Sequence, residues 1–432
     1  MYSLTSSAQA SGNVEKYLVK INTKGAVAMK RSAVSFTAFA LLLGACGNNT
    51  ENESELEQDP SSIEENEENE VIAPTDENDA EELPDENSNT AENDNSLTER
   101  ESNYTNLSSE DWQTEVLAEN LHVPWDINFF EDTIFLTERE GTITAVEDGS
   151  SDRQEINTSD PIIHEGEGGL LGMAVSEDFG DTGEIFLYYT YEGSSGLENR
   201  VVKAVQEDGS WEETEILLDE IPGDGIHNGG RIVIGPDGYL YVTTGDANEP
   251  ALSQDPDNLA GSILRLTVEG EVPGDNPFED SFVFSYGHRN PQGLAWNSNE
   301  ELYSSEHGPT GHDEINVIEA GNNYGWPEII GDEEMGEMEQ PLVHSGENTW
   351  APSGTAFLED QLFVTGLRGQ NLYVLSEENS ELKEVFSGEG RLRDVKVHEG
   401  NLYVITNNTD GRGNPDGNDD RLLRLTIKGR EE

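Results

Sequence analysis

Cysteine occurs once in the chain, at position 46, which excludes a disulfide framework and any cysteine-ligated zinc site. Basic residues are also few: 23 Lys and Arg stand against 90 Asp and Glu, a formal net charge of −67. That deficit excludes a protein that tracks the phosphate backbone of nucleic acid, because such binding needs a basic surface. No apolar run reaches the roughly 18 residues of a membrane-spanning helix. Long stretches with helical periodicity are absent as well.

What is present falls into three regions. Met29-Lys30-Arg31 form a short basic head, an apolar run follows from Ala33 to Leu43, and small residues precede Cys46. This is the layout of a secretory signal peptide. Leu43-Gly44-Ala45-Cys46 also resembles a bacterial lipobox, which implies that Cys46 is lipidated and that residues 1–46 are a targeting segment, with Met29 as an alternative start. The plainer reading, Cys46 as a small hydrophobe in a core helix, lacks an amphipathic pattern around it. Residues 51–110 carry 22 acidic residues and one basic residue, Arg100, with almost no aromatics. Such a segment cannot offset the entropy of ordering, and its charges repel, so residues 47–110 are expected to be a disordered tether. The implied location is the outer face of the cell membrane, or the periplasmic side, held by the lipid anchor alone. Residues 111–432 carry 67 acidic and 17 basic residues, a net charge of −50, which reads as a solvated face or as a halophilic adaptation.

The third region repeats internally. Six times a turn rich in Asp, Glu, Gly or Asn precedes an aliphatic–aromatic pair that opens a short strand. The pairs are Ile134-Phe135, Ile185-Phe186, Leu240-Tyr241, Leu302-Tyr303, Leu362-Phe363 and Leu402-Tyr403, spaced by 51, 55, 62, 60 and 40 residues. Units of this length predict an all-β fold: a six-bladed β-propeller of four-stranded antiparallel blades over 111–432. A β-helix needs shorter coils, and a pair of sandwiches would not repeat six times.

Function in a propeller lies in loops at one end of the channel, and four motif loops stand out. They are His227-Asn-Gly-Gly-Arg231 with Thr244-Gly245-Asp246; Tyr286-Gly-His-Arg-Asn-Pro-Gln-Gly293; Ser305-Glu-His-Gly-Pro-Thr-Gly-His-Asp-Glu-Ile-Asn316 with Asn323-Tyr-Gly-Trp-Pro327; and Gly366-Leu-Arg-Gly369 with Gly390-Arg-Leu-Arg-Asp394. With Pro124-Trp125-Asp126 and Gly166-Glu-Gly-Gly-Leu-Leu-Gly172, the ordered set resembles the soluble quinoprotein aldose dehydrogenases of the glucose/sorbosone type. The likeness runs from about Leu117 to Leu425.

The resemblance implies oxidation of an aldose at C1 to a lactone, by hydride transfer to pyrroloquinoline quinone (PQQ) with calcium. It implies that His227 is the general base, Asp246 its orienting partner, and Arg289 and Asn290 the groups beside the quinone carbonyl. Arg368, Arg391 and Arg393 match the family's basic contacts to the cofactor carboxylates. Gly308 and Pro309 are implied as carbonyl ligands of the activating calcium, and Glu314 with the carbonyl of Tyr324 as part of a second calcium site. These assignments suit the chemistry. An imidazole titrates near neutrality, guanidinium forks match carboxylates, and calcium takes oxygen ligands. Taken singly, His227 would be a surface histidine and the arginines paired surface charges.

Glu167 departs from the glutamine of glucose-oxidising members, where that position contacts substrate. A carboxylate accepts but cannot donate, which alters the expected sugar preference. Arg412 and Arg421 fall outside the motif positions, so replacing either is expected to change cofactor binding little. Two other functions remain open: a calcium-dependent lactonase or esterase, and a non-catalytic surface-binding propeller. The expected partners are an aldose and an unidentified electron acceptor, with no nucleic acid.

Overall fold

A computed structural model describes residues 104–430 apart from 208 and 377–379. The expected signal segment with Cys46, and the tether as far as 103, lie outside the described residues. Within the stretch read as tether, Tyr104 already packs in the core, with its ring edge-on to Phe363 at 5.1 Å. The packed chain therefore begins earlier than position 111.

The described residues are almost wholly β. The single α-helix is one turn, Phe179–Thr182. Five sheets follow one another along the chain: four of four strands and one of eight. The eight-stranded sheet consists of Pro124–Phe130, Thr133–Glu138, Thr142–Glu147 and Ser150–Asn157, then Leu170–Val175, Glu184–Glu192, Leu197–Glu207 and Ser210–Pro222. Its two halves touch only through their outermost strands, in a short parallel pairing of Ile156 with Trp211 and Asn157 with Glu212. All other pairings between the strands of these sheets are antiparallel.

The remaining sheets open with Ile232–Ile234, Pro291–Trp296, Pro352–Leu358 and Leu392–His398. The last of them takes its fourth strand, Trp112–Ala118, from the beginning of the body, paired with Leu422–Ile427. This return of the chain start closes the architecture. Each opening strand packs on the next, except that the sheet of Ile232–Ile234 meets its successor through its second strand, Leu240–Thr243, and Leu392–His398 packs back on Pro124–Phe130. The result is a β-propeller, with no free edge at the point of closure.

Every aliphatic–aromatic pair found in the sequence lies in the second strand of a four-strand unit, and all twelve side chains are buried. The repeat was therefore a packing signal. The pair places one side chain on each face of its strand, filling the space between successive sheets.

The channel end of this packing is ionic. Arg231 donates to Asp126 at 2.5 Å, lies 3.2 Å from Asp394, and stacks over Trp125 at 4.3 Å. Lys396 approaches Asp126 at 3.4 Å. These groups come from three different opening strands or the turns before them, so their pairing pins the ring from within.

Candidate active site

In an antiparallel unit, the loop entering the first strand and the loop leaving the second lie at the same end. The ring gathers the motif loops at one mouth. All of them are of these two kinds except 323–327, which lies between the third and fourth strands of its unit and reaches the same mouth through Trp326.

His227 precedes the strand Ile232–Ile234 and adopts a left-handed backbone, φ 58°. Gly245 makes room for it: a Cβ at 245 would lie 1.9 Å from the His227 carbonyl oxygen. That close approach brings His227 Nδ1 within 2.7 Å of Asp246 Oδ1. The buried Asp246 also accepts from Asn248 N at 2.8 Å and from Trp326 Nε1 at 2.9 Å. With Nδ1 engaged, Nε2 is the nitrogen left to exchange a proton, and the ring is 12% exposed. A histidine oriented in this way can act as a base toward a hydroxyl group.

The neighbouring segment is tied to this one. Asp246 N donates to the Arg289 carbonyl at 2.8 Å, and Gly229 N donates to Asn290 Oδ1 at 3.0 Å. Glu306 accepts from the Arg289 backbone N–H and pairs with His288 Nδ1 at 2.8 Å. The Arg289 guanidinium lies over Trp326 at 5.3 Å and donates through Nη1 to the carbonyls of His307 and Gly308, at 3.0 and 2.8 Å. Burial lowers its pKa from the ordinary arginine value.

The three expected cofactor arginines occupy different surroundings. Arg393 is buried, with Nη1 on Gln292 at 2.7 Å, and burial beside Arg139 and Arg391 pulls its pKa down to about 9. Arg391 is buried too, but is committed to Asp410 at 2.8 Å and to the carbonyls of Asn407 and Leu367. Arg368 is exposed on the turn that receives Arg391. The three expected cofactor contacts are thus one buried cation, one internally paired cation and one at the surface.

Sequence reasoning missed Arg139. It leaves the second strand of the first unit and clamps the glycine segment through Gly166 O at 2.6 Å and Gly168 O at 2.7 Å. Burial lowers it to about 10. Its signal was available, as a base on a loop of the productive kind in a body with few bases. His307 was also passed over inside its motif; burial holds it near 4, so it is neutral at pH 7.

The Glu167 carboxylate joins the base to a distant loop. Oε2 accepts from His227 N at 3.1 Å and Oε1 from Arg412 at 2.8 Å. Burial alone would raise Glu167, yet these partners and charge on His307 hold it near 2. Since His307 is neutral at pH 7, Arg412 and the amide sustain the ionised form there. Arg412, outside the motif positions and half exposed, thus reaches the mouth.

The expected calcium positions line one small cavity with Arg289, Glu306 and His307. Burial, reinforced by Glu306, pushes Glu314 up to about 8. The Tyr324 hydroxyl donates to Val317 O at 2.6 Å. Gly308 O, expected to ligate a cation, accepts from the Arg289 guanidinium, so a cation there would have to displace that side chain.

The donor set fits an anionic, acceptor-rich molecule much better. Arg289 Nε, Asn290 Nδ2 and Arg393 Nε are buried without a hydrogen-bond partner. Such donors are costly unless something else supplies acceptors.

A family profile described as Glucose / Sorbosone dehydrogenase matches residues 121–424. The chain belongs to this family. Aldose sugar dehydrogenase YliI of Escherichia coli (strain K12) is a 32% identical relative over 336 residues, 69% of this chain and 90% of its own. The PQQ-bound form of aldose sugar dehydrogenase from Streptomyces coelicolor superposes with a TM-score of 0.68 at 36% identity, covering 73% of this chain and 98% of that one. The apo-form of the soluble aldose sugar dehydrogenase from Escherichia coli gives 0.65 at 30% identity, over 73% and 100%. Membership of the glucose/sorbosone dehydrogenase family accounts for the order of the motif loops, which span nearly the whole matched region.

Proposed function

We propose that this quinoprotein sugar oxidoreductase oxidises aldoses at C1 to lactones, using PQQ and calcium, on the outer face of the cell membrane. The enzyme class follows from the family and from relatives that are aldose sugar dehydrogenases. We also read the propeller as six-bladed, taking the eight-stranded sheet as two blades because only a short parallel pairing joins its halves.

One observation carries the reading: unpartnered buried donors from Arg289, Asn290 and Arg393 share a mouth with the His227–Asp246 pair. PQQ supplies an acceptor for hydride, together with carboxylates and carbonyls for such donors. His227 holds the proton taken from the anomeric hydroxyl, and Asp246 fixes the ring and stabilises its protonated form. Arg289 and Asn290 stabilise negative charge on the acceptor oxygen. Arg393 anchors a carboxylate, with Arg139, Arg391 and Arg368 adding to the local positive potential. Calcium enters on the resemblance alone, at the carbonyls of Gly308 and Pro309, which requires Arg289 to turn from Gly308 O toward the cofactor. Glu314 and Tyr324 remain the proposed second site. The anchor at Cys46 and the acidic tether give the proposed location, and metabolic labelling with a fatty acid, lost in Cys46→Ala, tests it.

The function is tested by adding PQQ and calcium to purified apoprotein and following dye reduction with a panel of aldoses. Aldose-dependent reduction that requires PQQ and falls on chelation is the expected result. Lactone hydrolysis without PQQ, and no dye reduction, would overturn it.

A further inference from the structure

The Asn407–Arg421 loop carries Arg412 across the mouth to Glu167, a contact between residues 245 positions apart. Arg412 is about half exposed and makes this one ion pair, whereas the Glu167 side chain is 19% exposed. The two Glu167 oxygens are divided between the loops. One accepts from the backbone of the candidate base, and the other from Arg412. Gly166 and Gly168 fix the other side of Glu167 through the Arg139 clamp. The Glu167 backbone is secured as well, its N–H donating to Gly225 O at 2.8 Å. Only the carboxylate's rotation about its own side chain is left to be set, and Arg412 is the charged group that sets it.

We infer that Arg412 is a specificity-determining positioning residue, which holds the Glu167 carboxylate beside His227 as a fixed acceptor for a hydroxyl of a neutral aldose. The inference rests on the aldose dehydrogenase reading above. Where a glutamine offers both a donor and an acceptor, this chain offers an acceptor on Glu167 and donors on Arg412, from two loops that meet at the mouth. The arrangement favours sugars whose hydroxyl nearest the reacting carbon can donate. It disfavours aldoses lacking that hydroxyl, since the ionised acceptor is then left without a partner. Because Arg412 is half exposed, salt weakens its hold on Glu167.

The test measures kcat and KM for an aldose and its 2-deoxy analogue in holoenzyme reconstituted with PQQ and calcium. Arg412→Ala should raise KM for the parent aldose about five- to ten-fold, the scale between an exposed ion pair and a charged hydrogen bond. Its kcat should hold, and the preference over the 2-deoxy sugar should shrink. Arg412→Lys should recover part of the KM. In a Glu167→Gln background, Arg412→Ala should add almost nothing, because its route of action is gone. Independent effects in the two backgrounds, or unchanged KM and preference in Arg412→Ala, would overturn the inference. A PQQ titration of the same proteins separates this failure from that of the underlying reading. Wild-type protein that binds no PQQ sinks the reading, whereas wild type that binds and turns over with an indifferent Arg412→Ala sinks the inference alone.

Discussion

Asp246 has no spare capacity for another role. Its carboxylate is held by His227 Nδ1, Asn248 N and Trp326 Nε1, and the side chain is fully buried. It orients the imidazole and leaves Nε2 to do proton chemistry. His227→Ala should therefore lower kcat by ~10²–10⁴-fold, the usual worth of a general base. PQQ affinity should stay near wild type, since the unpartnered donors belong to other residues. Loss of activity explained wholly by loss of cofactor would make His227 a structural residue. The arginines separate in the same way. Arg393→Ala should weaken PQQ binding by about 1.5–3 kcal/mol, the scale of a hydrogen bond to a charged group. Arg368→Ala should have a smaller effect, being exposed and screened. Arg391→Ala should perturb folding as well, because it strands the buried Asp410. Affinities and melting curves on the three variants check this order, and equal effects on affinity would contradict it. At this scale the sequence revealed residue identities better than their surroundings. His227 and Asp246 were legible from their motif. The engagement of Arg391 by Asp410 was not, because it depends on two loops folding together.

At the scale of the element, the loop leaving Thr133–Glu138 shows how a strand end prepares the mouth. Glu138, with a fully buried side chain, pairs with Arg153 and accepts from His122 N and the Thr142 hydroxyl, both at 2.7 Å. Burial would raise its pKa, but Arg153, the amide and the hydroxyl together hold it below the ordinary value. A carboxyl depressed on folding contributes stability above its unfolded pKa and loses it as pH falls through the folded one. Glu138→Gln should thus destabilise by about 1–3 kcal/mol at pH 7. The gap should narrow as pH drops below about 4.5, where the carboxyl of the unfolded chain begins to protonate, and close as pH falls through the lower folded value. Denaturant unfolding at pH 7 and in acid measures this, and a gap independent of pH would contradict it. The strands themselves were legible, since each aliphatic–aromatic pair fell in the second strand of its unit. The eight-stranded sheet was not, because the link between Ile156 and Trp211 is a matter of how two outer strands drift together. The Arg412–Glu167 pair was not legible for a similar reason, since its members lie 245 positions apart in the chain and meet only when the ring closes.

The whole molecule holds a positive mouth within a strongly acidic body. PQQ is trianionic through its carboxylates, so the body's net charge of −50 opposes its approach while the local arginines attract it. Added salt screens the long-range repulsion before it weakens buried contacts. PQQ affinity should accordingly hold or rise with moderate salt, and a steep fall from low salt upward would show that surface charge does the binding. The ring itself depends on Arg231, which serves Asp126 and Asp394 from within the channel. Arg231→Ala leaves the buried Asp394 without its ion-pair partner and Asp126 with Lys396 alone, and should cost about 3–5 kcal/mol, read as a large fall in melting temperature. The sequence showed Arg231 inside a motif, but only ring closure shows what it holds. The central claim is that one quinone bound at this mouth accepts hydride from an aldose oriented by His227. Anaerobic single turnover tests it most directly: holoenzyme is mixed with excess aldose and no dye, and quinone absorbance and lactone are followed together. Rapid conversion of quinone to quinol with one lactone formed per PQQ is expected, with that step slowed in His227→Ala. Bound quinone that stays oxidised through the addition of every aldose tried would contradict it.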